Sequence, residues 1–328
     1  MPDDRSSSFG VVAIGRNEGE RLKQCLRSVS GAAKVIYVDS GSSDDSAACA
    51  HEFGVEVLEL DLSNPFTAAR ARNAGFRHLR KIAPDLQFVQ FVDGDCELNG
   101  SWPAAAITFM HSHEQVCAVL GRLRERYPDR SIYNRMCDRE WDIPIGEVPA
   151  CGGIVMMRID AFEAAGGYRD ELIAGEEPEL CIRLRAAGWK IWRLNHEMAW
   201  HDAAMLHFRQ WWRRQLRSGY AFAQGAHLHG DLDERHWVWE SRRAQLWGFG
   251  FPLLLASALI VLGWWGGLLF LVYPLQILRR INRMPGRWPT QLQFAFFEQL
   301  SRFPEAVGQL KFARDRLLRV HGHLIEYK

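Results

Sequence analysis

Two close-set pairs of carboxylates carry the chemical potential of this chain. Asp93 and Asp95 stand either side of Gly94, directly after the apolar run Phe88-Val89-Gln90-Phe91-Val92, and Glu176 and Glu177 stand together before Pro178. Two aspartates one residue apart can hold a hard divalent ion and leave its other positions to phosphate oxygens and water. A glutamate at the mouth of a helix is kept ionised by the positive helix end and can take a proton from a hydroxyl within hydrogen-bond reach. His201 stands apart from both pairs, in Ala199-Trp200-His201-Asp202, where it can serve as a satisfied structural histidine. Asp-Gly-Asp is also good turn chemistry, so the acids take their meaning from whatever positions them.

The positioning elements read as strands and helices in alternation. Residues 9–14, 34–38, 55–60 and 88–92 are short apolar runs, while 20–29 and 67–79 space their apolar residues as helices do. Gly41 allows a tight turn, and Ser43 or Asp44 can cap the helix that follows. This rhythm predicts right-handed βαβ units and a mostly parallel sheet. Ligands bind beyond the carboxyl ends of such strands, where the loop Gly15-Arg16-Asn17-Glu18, Asp39 and the Asp93–Asp95 pair fall. Further on, 102–112, 160–165 and 209–223 read as helices, 116–124 and 190–193 as strands, and a helix opens at Gly175 and stops at Gly188. Residues 125–146 hold aromatics and charges without a clear period.

Composition narrows the class. A length of 328 residues suits one large α/β domain with an appendage, and 48% hydrophobic with 24% charged residues is globular with extra apolar material. A net charge of +1 gives no reason to expect a nucleic-acid partner. Residues 279–328 are nevertheless basic, with ten Lys/Arg against four Asp/Glu, which points to an anionic membrane surface. The seven cysteines form no Cys-x-x-Cys pair and read as reduced and cytosolic, and residues 1–8 lack a signal-peptide core.

No charged residue occurs between Ala244 and Leu278, a run of 35 positions. A bilayer span needs about 20 apolar residues. Arg242 and Arg243 precede the run and Arg279, Arg280 and Arg283 follow it, so both ends favour the cytosolic side. Gly263-Trp264-Trp265-Gly266-Gly267 can bend it into a short hairpin, with a single span as the rival. After Met284-Pro285-Gly286, the residues Leu310, Ala313, Leu317, Val320 and Leu324 recur at helical spacing among arginines, which predicts a basic amphipathic helix that either lies on a membrane or docks on the catalytic domain.

Taken in order, four stretches resemble the signatures of family 2 glycosyltransferases over residues 9–222. They are Phe9–Ile14 with Arg16-Asn17-Glu18; Val35-Ile36-Tyr37-Val38-Asp39-Ser40-Gly41; Ala69-Arg70-Ala71-Arg72-Asn73-Ala74-Gly75 leading to Asp93-Gly94-Asp95; and Gly175-Glu176-Glu177-Pro178-Glu179-Leu180. The resemblance is to membrane-associated members of bacterial type. It implies a GT-A fold, a UDP-, GDP- or dTDP-sugar donor, a divalent metal (Mg2+ or Mn2+) and a lipid-linked or glycan acceptor.

Residue by residue, the resemblance implies donor-nucleotide contacts at Ala13, Arg16, Asn17, Glu18, Asp39, Arg72, Asp93 and Gly94. It implies metal ligands Asp93, Asp95 and His201, and a general base at Glu177 or its neighbour Glu176. The base motif departs from the family pattern, because glutamate stands at 177 where aspartate is usual. Arg72 can reach the diphosphate, fix the acids or be a surface arginine. Gly152 and Gly153 suit either a close approach of the acceptor sugar or a tight strand entry. Trp211 and Trp212 suit either lipid contact or acceptor binding.

The expected organisation is a catalytic domain over 1–235, a membrane hairpin or span over 236–284 and a basic tail over 285–328, held at the cytoplasmic face of the inner membrane. The expected activity is inverting sugar transfer. A nucleotidyltransferase would need a basic activating loop after the first strand, which Gly15-Arg16-Asn17-Glu18 does not supply. A non-catalytic sugar-binding protein would have lost the acids, and Asp39, Asp93, Asp95 and Glu177 are all present.

Overall fold

The computed structural model describes residues 9–64, 66–282 and 287–320. Arg283, the Met284-Pro285-Gly286 break, Leu324 of the tail stripe and the polar start of the chain lie outside these residues. The chain divides into two compact units, the first ending at Ala204 and the second starting at Met205.

In the first unit β1 (Phe9–Gly15), α1 (Glu20–Ser28), β2 (Lys34–Asp39), α2 (Ser46–Glu52), β3 (Glu56–Glu59), α3 (Ala68–Ile82) and β4 (Phe88–Asp93) follow one another as the rhythm predicts. Then come β5 (Cys96–Leu98), α4 (Trp102–Ser112), β6 (Val116–Glu125), α5 (Ile132–Glu140), β7 (Gly146–Glu147), β8 (Val155–Arg158), α6 (Ile159–Ala164), α7 (Glu176–Ala186) and β9 (Lys190–His201). The late strand is thus one long strand reaching His201, and α5 fills part of the stretch that had no readable period.

The sheet order is β3-β2-β1-β4-β8-β6-β9-β5, with β7 paired to β9. Its first half is parallel, while β8 runs antiparallel to β4 and β6, and β5 and β7 run antiparallel to β9. The sheet is therefore more mixed than mostly parallel. The strands that end at Asp39 and Asp93 are in the parallel half, and they are buried on both faces: Val11, Val12, Ile36, Val38, Val89 and Phe91 are wholly inaccessible.

Register decides where the acids go. β1 lies between β2 and β4, with Gly15 opposite Asp39 and Ile14 opposite Asp93, so both aspartates leave the sheet at one edge. The chain steps outward from β1 to β3 and then returns to β4 on the other side of β1, which makes this edge the topological switch point where ligands bind. Helix α3 presses onto the strands at Gly75, where an added Cβ would lie 2.5 Å from Val12 and 2.7 Å from Val38. Thr67 caps α3 by accepting from the Arg70 N–H, which fixes the turn that carries Arg72.

The second unit consists of α8 (Phe208–His229), α9 (Val238–Gln245), α10 (Phe251–Leu262), α11 (Val272–Ile281), α12 (Trp288–Leu300) and α13 (Arg302–Leu317). Helix α8 belongs here, because it packs along α13 through glycines: a methyl at Gly219 would overlap the Glu305 carbonyl, and one at Gly308 the Leu216 carbonyl. The unit boundary therefore falls ahead of the expected 235.

Residues Val238–Ile281 are long and apolar enough to cross a membrane by length and composition. They do not form a straight rod. Gly263 has φ 57°, residues Gly263–Leu271 wind as a 3-10 helix, and Gly266 sits directly against the backbone of Ala258 and Leu259. The Tyr273 hydroxyl donates to the Trp247 carbonyl at 3.2 Å, across a sequence interval that a straight helix would stretch over about 39 Å. The bend falls on the glycine-tryptophan stretch, as expected for a hairpin.

Helix α13 starts eight residues before the predicted stripe and turns its polar and small residues inward. Glu305, Ala306, Gly308, Gln309 and Asp315 are buried, whereas Leu310 and Leu317 are exposed.

Candidate active site

A single guanidinium organises the acids at the switch point. Arg72, buried on α3, donates to Asp93 Oδ1 at 2.9 Å, to Glu176 Oε1 at 2.8 Å and to Glu177 Oε1 at 3.1 Å. Burial works against its charge, and Asp93, Glu177 and Glu176 outweigh that cost and keep it protonated. The Tyr168 ring lies 5.7 Å from the guanidinium carbon. Gly153 leaves the space: a Cβ there would overlap the Arg72 guanidinium and come within 3.1 Å of Glu177. Arg72 thus fixes the acids, and Gly153 serves Arg72.

Next to Arg72, Asn73 ties α3 to the approach of α7. Its amide donates to the Tyr168 carbonyl at 2.7 Å and to Asp170 at 2.6 Å, and its oxygen accepts from the Tyr168 N–H at 3.0 Å. Helix α7 then starts at Glu176 after Gly175, whose φ of 82° suits glycine. Both glutamates sit in its first turn, and Pro178 is the third helical residue rather than the first.

The two glutamates differ in access. Glu176 keeps 4% of its side chain exposed and Glu177 keeps 15%. Burial, then the neighbouring Glu176 charge, push Glu177 up to about 7 despite the pull of Arg72. A carboxylate poised there can accept a proton near neutral pH. Glu179 is buried in a separate ion pair with Arg169 and Arg183, at 2.7 and 2.6 Å.

A second cluster forms across β5 and β9. Their register sets Cys96 opposite His201, which brings the imidazole to Asp95, Nε2 to Oδ2 at 3.0 Å. Trp141, at the end of α5, stacks on that imidazole with ring centroids 4.7 Å apart. One ligand atom each from Asp95, Cys96 and His201 lies within 4.8 Å of the others. Burial keeps the Cys96 thiol neutral, and it lies 3.4 Å from Asp95 Oδ1. The set that fits a divalent ion is therefore carboxylate and imidazole, Asp95 with His201, beside Asp93 one residue beyond Gly94.

The third cluster is the β1 and β2 loop pair. Asp39 accepts from the Gly41 and Ser42 N–H groups at 3.0 and 2.8 Å and from the Ser42 hydroxyl at 2.5 Å. It shapes the turn from within, buried beside Tyr37. Asn17, at φ 57°, receives the Ser43 N–H, and the Arg16 guanidinium donates to the Gly41 carbonyl. Glu18 pairs with Arg21 at 2.7 Å. The Gly94 N–H donates to the Ile14 carbonyl at 2.8 Å, which joins this loop to the acid pair.

Some expected residues fall elsewhere. Ala13 is fully buried two residues before the end of β1, so its side chain faces the core. Gly152 is exposed with open space around it. Trp211 is 1% exposed, packed 5.1 Å from Phe297 within the second unit, so neither lipid nor acceptor reaches its ring; Trp212 is half-buried beside it. No local sequence signal marks Tyr168 or Asp170, Asn73 stands in the Ala69–Gly75 motif with no sign of its locking role, and Trp141 lies in the stretch without a clear period.

The family model described as glycosyl transferase family 2 matches residues 11–164, which run from β1 to the end of α6 and stop short of α7 and His201. The chain is similar in fold to the mannosyltransferase PcManGT from Pyrobaculum calidifontis, solved in complex with GDP-Man and Mn2+. The TM-score is 0.62 at 17% identity, over 92% of this chain and 87% of that one. It is also similar to S. aureus TarS 1-349, with TM-score 0.50 at 14% identity, over 93% and 92%.

Proposed function

We propose that this chain, which matches the glycosyl transferase family 2 model over residues 11–164 and has a GT-A-like fold, is a glycosyltransferase that moves a sugar from a nucleoside-diphosphate donor to a lipid-linked or glycan acceptor with inversion. The observation that carries this reading is the opposition of two acid sets around Arg72, with Asp93 on one side and Glu177 on the other. A donor bound at the strand ends would place its diphosphate by Asp93 and Asp95. Glu177 would receive the proton of the acceptor hydroxyl as it attacks the anomeric carbon from the face opposite the departing diphosphate. Arg72 would hold Glu177 in place, and Asp39 with the Asn17 loop would frame the nucleotide.

Asp95 and His201, with Asp93, would hold the divalent metal, which when bound neutralises charge on the leaving diphosphate. The imidazole favours Mn2+ over Mg2+, since Mg2+ prefers all-oxygen sets. The mannosyltransferase of similar fold was solved with GDP-Man and Mn2+, which makes a GDP-sugar the first donor to try. The long apolar run with arginines at both ends supports attachment at the cytoplasmic membrane face.

The test is a donor panel. UDP, GDP and dTDP are each added with Mn2+ or EDTA while thermal stability is recorded, and the matching sugar donors are then assayed for release of nucleotide. Metal-dependent stabilisation with turnover supports the reading. Stabilisation without turnover favours a sugar-nucleotide-binding protein, and pyrophosphate release from a nucleoside triphosphate favours a nucleotidyltransferase.

A further inference from the structure

The second unit buries polar and charged side chains and leaves large apolar ones exposed. Its buried residues include Ser241, Arg302, Glu305, Gln309 and Asp315. Arg302 pairs with Glu305 at 2.6 Å, and Ser241 donates to Gln309 at 3.0 Å. Its exterior carries Ile260 at 85%, Val261 at 79% and Leu317 at 82% exposure. An apolar exterior of this extent marks a surface made for an apolar medium.

The hairpin sets how that medium is met. Its arms close at Trp247 with Tyr273 and at Ala258 with Gly266, so the root lies near Arg242 and Arg279 and the tip at Leu262–Trp265. Residues 246–262 rise about 25 Å as a helix, short of the hydrocarbon core of about 30 Å. Both chain ends emerge beside arginine. Arg242, Arg279, Arg316 and Arg319 are exposed, while Arg314 pairs with the buried Asp315 at 2.7 Å and Glu298 pairs with Arg280. The charge left outward at the root is therefore positive.

We propose that the second unit is a one-sided membrane wedge. The hairpin enters and leaves the bilayer on the same face without emerging on the other. The outer stripe of α13, Leu310 and Leu317, lies in the adjacent interface, and the arginines engage anionic lipid headgroups. This inference rests on the membrane-held reading above and adds its depth, sidedness and lipid class. It commits to a lipid surface rather than a second copy because the exposed arginines ring the apolar face and would repel one another across a two-fold interface.

The experiment reads location and needs no sugar transfer. All seven native cysteines are free and buried in the first unit, so Trp265→Cys adds the one readily labelled thiol. In intact cells that thiol should resist a membrane-impermeant maleimide and react after detergent, and a reporter fused after Lys328 should be cytosolic. Labelling from outside the intact cell would overturn the one-sided insertion while leaving membrane attachment in place. Purified protein should float with vesicles of mixed phosphatidylcholine and phosphatidylglycerol. Replacing Arg279, Arg316 and Arg319 by Gln should weaken that binding roughly a hundredfold. Equal binding to pure phosphatidylcholine would overturn the anionic headgroup contact. A detergent-free soluble dimer with the hairpin shielded would mean that a second copy covers this face, and it would overturn the membrane reading itself.

Discussion

Arg72 holds Glu177 at 3.1 Å through the same amino group that holds Glu176, while its other amino group holds Asp93. One buried cation therefore fixes the distance between Asp93 and Glu177, which in the proposed reaction would lie beside the diphosphate and the acceptor. Arg72→Ala should leave buried carboxylates without their counter-charge, at a cost on the order of 3–5 kcal/mol. Arg72→Lys keeps the charge but cannot reach three carboxylates from a planar fork. It should fold, bind donor nearly normally and lose kcat by roughly two orders of magnitude; steady-state kinetics that show a KM effect alone would return Arg72 to donor binding.

Gly153→Ala gives a milder version of the same test. Its methyl would overlap the guanidinium, so kcat should fall with little change in donor affinity, and nucleotide binding by calorimetry separates the two effects.

Glu177 should govern the pH dependence. Its folded value of about 7 lies above the ordinary 4.5, so it is protonated in the folded state over a range where the unfolded chain has lost the proton. Activity should rise as pH increases through about 7, and earlier once a bound cation lowers the value. The same shift lowers stability as pH rises from 4.5 to about 7. Glu177→Gln should therefore lose roughly two to four orders of magnitude in turnover and melt higher than the parent at alkaline pH. Normal turnover of Glu177→Gln with a dead Glu176→Gln would move the base by one residue.

Metal dependence should follow Asp95 and His201. Asp95→Ala should abolish transfer and leave nucleotide binding indifferent to Mn2+. His201→Gln should weaken Mn2+ binding more than Mg2+ binding, because it removes the imidazole. Equal activity of the parent protein in EDTA would remove the metal from the reading.

In the second unit, Gly219→Ala and Gly308→Ala each set a methyl against a carbonyl of the facing helix. Each should destabilise that unit by about 1–3 kcal/mol, read as increased protease cleavage between 205 and 320, with nucleotide binding by the first unit retained.

The parallel half of the fold was legible because period-two and period-3.6 patterns are local, and the strands that end in Asp39 and Asp93 show their acids in the sequence itself. The antiparallel half was not, because β8 and β5 are short and pair with strands far along the chain. The meaning of Arg72 was open in the sequence for the same reason: its partners Glu176 and Glu177 lie about a hundred residues away. The place of Trp211 is not legible, since a Trp-Arg helix has the same sequence pattern whether its rings meet lipid or Phe297. Of the predicted apolar stripe, Leu310, Ala313 and Leu317 lie on α13 while Val320 falls beyond its end, and the face they turn to solvent depends on the glycines that seat α8.

The pairing of Cys96 with His201 also sets a timetable for synthesis. Asp95 and His201 are 106 positions apart, and β9 must dock before they meet. The nascent chain can assemble β1 to β4 early, since those strands are near neighbours, but it lacks the complete pair proposed to hold the ion until residue 201 has left the ribosome. Ion capture would then report the completion of the first unit, and chains stalled before β9 would remain unable to load.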